Sequence, residues 1–326
     1  MERNLLGGYD LQTIYHYCSI ETFSLIIKNK AIRLSDLDKT NDYMEKRWGV
    51  ALIEGALKKE LENLSIKIDL RADYWYSDDA SNHMEYLLDL LKWRLSYQTL
   101  IACFSLEKDS LSQWRAYGQD GGGIAIGFNY NLLKRFIKTN KDIAIKKVLY
   151  KKEMQEKEIR KSAIDPVSTY MKDMYEEDEV RCTDDFNIYF EEEFDCFCEV
   201  LVDYLDPIIS YIKNPAFSEE KEVRIFYNTP ICEESEEDVI VEACKREWYT
   251  GQNNELLIKP IDFQTKEGKL VAYADLIFEK LLSKGIINEV IIGPKSQISK
   301  NDIRYLLLAN GYGDNIKINK SVATYR

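Results

Sequence analysis

The chain has only two histidines, His16 and His83, in 326 residues. Any mechanism or metal site that needs imidazole must draw on one of them. The seven cysteines, at 18, 103, 182, 196, 198, 232 and 244, form no C-x-x-C pair. Cys182, Cys196 and Cys198 have no fourth ligand nearby, so a zinc site is not expected. The odd cysteine number, and a start (M-E-R-N-L-L-G-G) without an apolar signal core, predict reduced thiols in the cytoplasm. No apolar run approaches the ~20 residues that span a bilayer, so no membrane is expected as a partner. Internal repeats and low-complexity linkers are also missing. Lys and Arg number 44 against 56 Asp and Glu, a net charge of −12. Such a surface does not favour non-specific duplex binding, which works by neutralising phosphates, although a local basic groove stays possible. No Lys-Ser/Thr follows Gly121-Gly122-Gly123, and a strand pattern comes next. That excludes a Walker-type phosphate loop and leaves a tight turn.

What is present is a globular composition, 45% hydrophobic and 12% aromatic, enough for a packed core. The length suggests about two domains, or one large domain with an insertion. Residues 14 to 18 read as a strand, and Ser19 then caps a helix whose Ile20, Phe23, Ile26 and Ile27 make one stripe. Ala31 to Leu34 return as a strand. T-N-D-Y-M-E (40–45) turns into a helix to about Asn63, and Met84 to Tyr97 is helical by its leucine spacing. T-L-I-A-C-F-S (99–105) is a buried strand. S-L-S-Q-W-R-A-Y is a short helix closed by Gly118, and I-A-I-G-F (124–128) is a strand expected to pair with K-K-V-L-Y (146–150).

From Lys151 to Ile212 the chain is charged and helical. Thirteen acids lie between Asp173 and Asp203 against the single base Arg181. That predicts an amphipathic insertion with an acidic outer face, solvated or open to a basic protein partner. Residues 239 to 249 fit a strand or a helix. Asp275 to Lys284 reads as a helix closed by Gly285, and I-I-N-E-V-I-I-G-P as a buried strand. Ser299 and Asp302 form a capping box for a helix that Gly311 ends, and I-K-I-N-K-S is a last strand. The architecture expected is one α+β domain over 1–326, with a mixed or antiparallel sheet core and 151–213 as a mainly helical insertion.

Chemistry concentrates in F-S-E-E-K-E-V-R-I-F-Y (217–227). As a strand, it places Glu220, Glu222 and Arg224 on one face. Two carboxylates and a guanidinium there need partners or a ligand; an ion-paired edge strand is the structural alternative. Spacing identifies no Ser-His-Asp or Cys-His set. His16 is read as a structural strand residue or a ligand group, and His83 as a surface residue. Trp114 and Tyr117, three apart on a short helix, form an aromatic wall or two core aromatics. Arg115 is a candidate anion clamp.

Several separated motifs, in order, resemble one bacterial family. They are H-Y-C-S, R-L-S-D, N-D-Y-M-E, C-F-S, W-R-A-Y-G, G-I-A-I-G-F, F-S-E-E-K-E-V-R, I-I-G-P and the terminal S-V-A-T-Y-R. The family is the domain-of-unknown-function family two-nine-seven-one, often found among phage-defence genes. The opening Y-H-Y-x-S-I-E-T-F-x-x-I-I-K-N-K, followed by R-L-S, is also similar to the start of ADP-ribosyltransferase-like folds.

That second resemblance implies an ADP-ribosyltransferase-like sheet and a histidine–tyrosine–glutamate site. NAD would be the substrate, with a macromolecule, protein or nucleic acid, as acceptor. It puts the ribose contact on His16 and the catalytic carboxylate on Glu222 with Glu220 beside it; the middle tyrosine is Tyr117 or Tyr130. Tyr17, Ser19 and Ser105 are also expected to bind the cofactor. Trp114 or Tyr117 would stack the nicotinamide, Arg33 or Arg115 would hold the pyrophosphate, and Arg224 would keep Glu222 ionised. The expected function is an NAD-consuming defence effector or toxin. The alternatives are a metal-dependent nuclease-like effector using Asp42, Glu45, Glu220 and Glu222, or a non-enzymatic sensor or scaffold.

Overall fold

A computed structural model describes residues 13–39, 45–67, 88–93, 97–138, 140, 143–166, 200–231, 235–249, 256–266 and 268–325. His83, Cys182, Cys196, Cys198, Asp42 and most of the acidic stretch 173–203 lie outside them, as does any statement about a zinc set or the acidic face.

The fold is mixed α and β around one large, mostly antiparallel open sheet. Its first unit is β1 (Thr13–Cys18), a helix (Ile20–Asn29) and β2 (Ala31–Asp36). Ser19 caps this helix by accepting the amide of Thr22, and Phe23, Ile26 and Ile27 bury the expected stripe. Lys30 ends it in a left-handed conformation.

β3 (Thr99–Ser105) is the hub. On one side it pairs along its whole length with β6 (Glu222–Asn228), which in turn pairs with β5 (Ile143–Lys147). On its other side the sheet forks. β1 meets β3 only at Tyr15↔Ser105, and β2 meets it only at Ser35↔Ile101 and Asp36↔Leu100. Residues 102–104 pair with neither strand. β1 leads away to β4 (Ile124–Asn129), β11 (Ile287–Ile292) and β12 (Lys317–Lys320), the last pair parallel. β2 leads away to β10 (Lys269–Ile277), which pairs with β9 (Asp262–Lys266) and β8 (Leu256–Ile258). The gap between the two branches is a cleft.

Two cores cover the faces of the sheet. Leu100, Ala102, Phe104, Val223 and Ile225 point into the larger one, with Phe23, Ile27 and Phe128. Ile101 and Phe226 point into the other, against Ile159, Leu205, Ile208, Ile209 and Ile212. Each fully buried side chain of this size contributes about 1.5–3 kcal/mol. The described part of 151–213, a helix (Lys152–Ile159) and a helical run over 200–209, packs its apolar side here.

Three expectations are corrected. The strand near 146–150 is β5 at 143–147, and it pairs with β6 rather than with 124–128, because β4 already has β1 and β11 on its two edges. Asp275 is not in a helix: Ala272, Ala274 and Leu276 alternate into the core, so β10 runs to Ile277 and only Glu279–Lys284 coils, as a 3-10 turn ended by Gly285. Glu220 is not on the strand. Pro215–Glu220 is a 3-10 turn, Lys221 is left-handed at φ 45°, and β6 starts at Glu222. The ambiguous 239–249 resolves into a helix (Glu237–Lys245) and the short β7 (Trp248–Tyr249). The Ser299–Asp302 capping box is present.

Candidate functional site

Glu222 opens β6 opposite Ser105 at the end of the hub pair, and Arg224 follows on the same face. Both are buried. Glu222 Oε2 accepts Arg224 NH2 at 2.8 Å and lies 3.5 Å from the Lys213 ammonium. Lys213 also donates to Glu220 Oε2 at 2.6 Å, and the Tyr117 hydroxyl donates to Glu220 Oε1 at 3.0 Å. The turn that removes Glu220 from the strand thus returns its carboxylate to the same cation. Two carboxylates and two cations form one neutral cluster at the end of the β3–β6 pair. The Tyr150 hydroxyl accepts the Glu222 amide at 3.0 Å, and the Ser210 carbonyl accepts Arg224 NH1 at 3.1 Å.

Burial alone would raise the Glu222 carboxyl. Arg224 and Lys213, with hydrogen bonds from Arg224 and Cys103, outweigh burial and hold it below the usual carboxylate range. Cys103 responds the opposite way: burial first, and then the Glu222 charge, push its thiol well up. It is therefore a neutral S–H donor to Glu222.

His16 fills the fork. Its Nδ1 lies 2.9 Å from the Cys103 carbonyl, in the part of β3 that neither branch pairs. A carbonyl only accepts, so Nδ1 carries the proton and Nε2 is the acceptor nitrogen of the neutral ring. Burial lowers the affinity of the ring for a second proton, and the Cys103 contact opposes this only in part. Phe104 packs against the ring at 5.7 Å between centroids.

Around these groups the cleft has two limbs. The larger, about 640 Å³, runs from His16, Ser19 and Thr22 past Arg33 to Asp275. The smaller, about 220 Å³, runs from Glu222 and Cys103 out to Lys39, Phe217 and Lys266. A narrow cavity lined by His16, Cys103, Glu220 and Glu222 lies between them. Tyr117 lines all three and is 38% exposed, so it stands at their junction. Tyr130 is buried in the larger core and lines none of them.

The remaining sequence-expected residues are placed as follows. Ser19 caps its helix and lines the larger limb. Arg33 lines it too, held by Asp275 at 2.9 Å and Gln264 at 2.9 Å and stacked over Tyr273. Tyr17 reaches the cleft edge, but its hydroxyl donates to the Glu107 carbonyl and accepts the Ser110 amide. Ser105 is buried and pins the Glu220 carbonyl at 2.8 Å. Trp114 is fully buried against Tyr15, Tyr17, Ala125 and Ile291, with its Nε1 on Asp109. It is a core aromatic with no open face for a ligand, unlike Tyr117. Arg115 points away from the cleft and lies over the Tyr325 ring.

Sequence reading missed Lys213, Cys103 and Tyr150. The signal for Lys213 was the demand itself: two carboxylates beside one arginine need a second cation, and Lys213 ends the segment just before the turn to Glu220. Cys103 was legible from β3 alternation, which puts Ile101, Cys103 and Ser105 on the Glu222 face. Among the described residues no group of three or more His, Cys, Asp or Glu side chains is arranged to hold a metal. None of their helices is long and apolar enough to cross a membrane.

The fold and site define a forked, mostly antiparallel α/β protein with a buried carboxylate–cation cluster at the fork. A family model described as a protein of unknown function (DUF2971) matches residues 113–225, which include Tyr117, Lys213, Glu220, Glu222 and Arg224. Over that stretch the chain matches the family its motifs resemble. No curated protein and no solved structure matches it.

Proposed function

We propose that this protein is an NAD-consuming, ADP-ribosyltransferase-like enzyme that modifies a macromolecule, of the kind bacteria deploy against phage. The observation that carries the reading is the fork, which brings the early-strand His16 and the late-strand Glu222 onto one cavity. Its larger limb falls within the ~300–1,000 Å³ range of small-ligand sites.

NAD lying in that limb has its nicotinamide–ribose bond at the junction. Breaking this bond builds positive charge on the ribose, as in glycoside cleavage, and an ionised carboxylate beside the ring stabilises it. Glu222 is that carboxylate, and it accepts from the ribose 2′-hydroxyl. His16 orients the ribose through its acceptor nitrogen. Tyr117, the exposed ring at the junction, stacks the nicotinamide. Arg33 takes the pyrophosphate by exchanging its Asp275 partner. A metal-dependent nuclease is less well supported, because Glu220 and Glu222 are already occupied by Lys213 and Arg224.

The test is incubation of purified protein with labelled NAD, beside Glu222→Gln and His16→Ala. Nicotinamide release or label transfer, lost in both variants, supports the reading. Release that persists in Glu222→Gln, or an activity needing only divalent metal and nucleic acid, overturns it.

A further inference from the structure

The smaller limb has a charge pattern that runs from its inner end to its mouth, where Lys266 also borders the larger limb. At its inner end Glu220 and Glu222 are neutralised by Lys213 and Arg224. Both Glu220 oxygens are taken, one by Tyr117 and one by Lys213, so Glu220 offers nothing to an incoming cation. Asp36, the third acid there, is buried and accepts from the Asp38 amide and Gln98. At the outer end stand Lys39 and Lys266, and neither side chain makes an ion pair or hydrogen bond with any described residue. In a chain of net charge −12, two lysines whose side chains have no partner among the described residues form a local cationic spot at one mouth. Between mouth and cluster, the Phe217 ring is 37% exposed and has the Lys213 ammonium over it at 4.8 Å.

We infer that the smaller limb is the acceptor site, and that it takes single-stranded nucleic acid. The phosphates would sit on Lys39 and Lys266, and a base would stack on Phe217 on the way to the junction. Lysines beside an exposed aromatic are the chemistry by which proteins hold single strands, with stacking on the ring and phosphates on the cations. A lysine or arginine side chain of a protein would meet like charge at this mouth and, inside, carboxylates already paired with Lys213 and Arg224. Given the ADP-ribosyl-transfer reading on which the identity of the transferred group rests, the step balances simply. The ribose C1′–N bond breaks, its electron pair leaves with neutral nicotinamide, and an acceptor oxygen or nitrogen bonds to C1′. A proton carried by that atom passes to solvent.

The site is tested without NAD, by fluorescence polarisation of a labelled single-stranded oligonucleotide with the full chain at low salt. Binding should weaken at least tenfold in the Lys39→Glu/Lys266→Glu double variant, while Lys39→Arg/Lys266→Arg retains it. The log–log salt slope should fall by about 1.4 on charge removal, two phosphate contacts at about 0.7 each for single strands. Thermal melting of each variant confirms that it is folded. No binding at low salt, or binding indifferent to both charge reversals, overturns the inference even if NAD is consumed. Lysine-dependent binding without nicotinamide release leaves single-strand binding at this limb standing and sinks the donor reading, and with it the limb's role as acceptor site.

Discussion

At the scale of single residues, the Glu222 cluster shows how a buried carboxylate stays ionised. Desolvation works against the charge, and Arg224, Lys213 and the Cys103 thiol together overcome it. Glu222→Gln removes one charge from a matched set and leaves the two cations facing Glu220 alone. Losing one partner of a buried pair costs about 3–5 kcal/mol, so urea denaturation of this variant should show a stability loss of that size. The sign of the pH dependence follows from the direction of the shift. The folded-state pKa of Glu222 is depressed, so its stabilisation is fully present above the unfolded value near ~4.3 and disappears as pH falls through the folded value. His16 is also depressed, but as a base. Its unfolded form takes up a proton below about pH 6.5 while the folded ring resists. Stability should therefore decline from about pH 6.5 downward, and His16→Gln should flatten that slope in denaturation series between pH 7 and 5.

Among the elements, the fork and the loop beside it decide where Tyr117 stands. Gly123 follows the turn after the Trp114 helix, and a Cβ there would lie 2.2 Å from the Cys18 carbonyl and 3.0 Å from Gly118. Backbone atoms cannot yield as a side-chain end can, so Gly123→Ala should cost a few kcal/mol and lower the melting temperature. Asp109 ties the terminal motif to the same loop. It accepts Trp114 Nε1 at 2.7 Å, the Ser321 hydroxyl at 2.6 Å and the Val322 amide at 2.8 Å. Tyr325 then reaches Asp120 and lies beneath Lys295. Asp109→Ala should leave the sheet amides protected and speed hydrogen exchange over 321–325, as read by mass spectrometry.

The elements also show what the sequence could and could not reveal. The Ser19 cap, the 99–105 strand and the Ser299–Asp302 box depend on neighbouring residues, and they were legible. The partner of β5 depends on which edges are vacant, and no local pattern encodes that. E-E-K-E-V-R alternates as a strand would, but the Pro215 turn and the left-handed Lys221 override that pattern and start β6 at Glu222. At the site, Glu222 and His16 stand out by residue type, whereas Lys213 is implied only by the demand for a second cation, and tertiary packing is what brings it to both carboxylates.

For the whole molecule, the sheet's two branches share backbone pairing only with β3 among the described residues, pack together beneath it through the larger core, and leave the larger limb of the cleft along their gap. A ligand spanning it binds the folded chain and not the unfolded one. At a concentration 100 times its dissociation constant, NAD should therefore stabilise the protein by ~2.7 kcal/mol, visible as a melting shift of a few degrees for a chain of this size. The shift should survive in Glu222→Gln if that residue acts on the transition state more than on the bound ground state. A melting curve indifferent to NAD in the wild-type chain would count against the donor site.

The Cys103 carbonyl has a consequence of its own. In an unbroken sheet this oxygen would belong to a neighbouring strand; here it is held by one side chain, His16. A ring nitrogen can let go by a single rotation, which no ladder of backbone bonds can do. Any molecule that turns His16 aside inherits the oxygen it guarded, and must bring a hydroxyl or N–H to it or leave it buried and unmet, at a cost of about 1–3 kcal/mol. A guest that displaces His16 meets this cost when it is flat and apolar, and avoids it when it brings hydroxyls, as a sugar does.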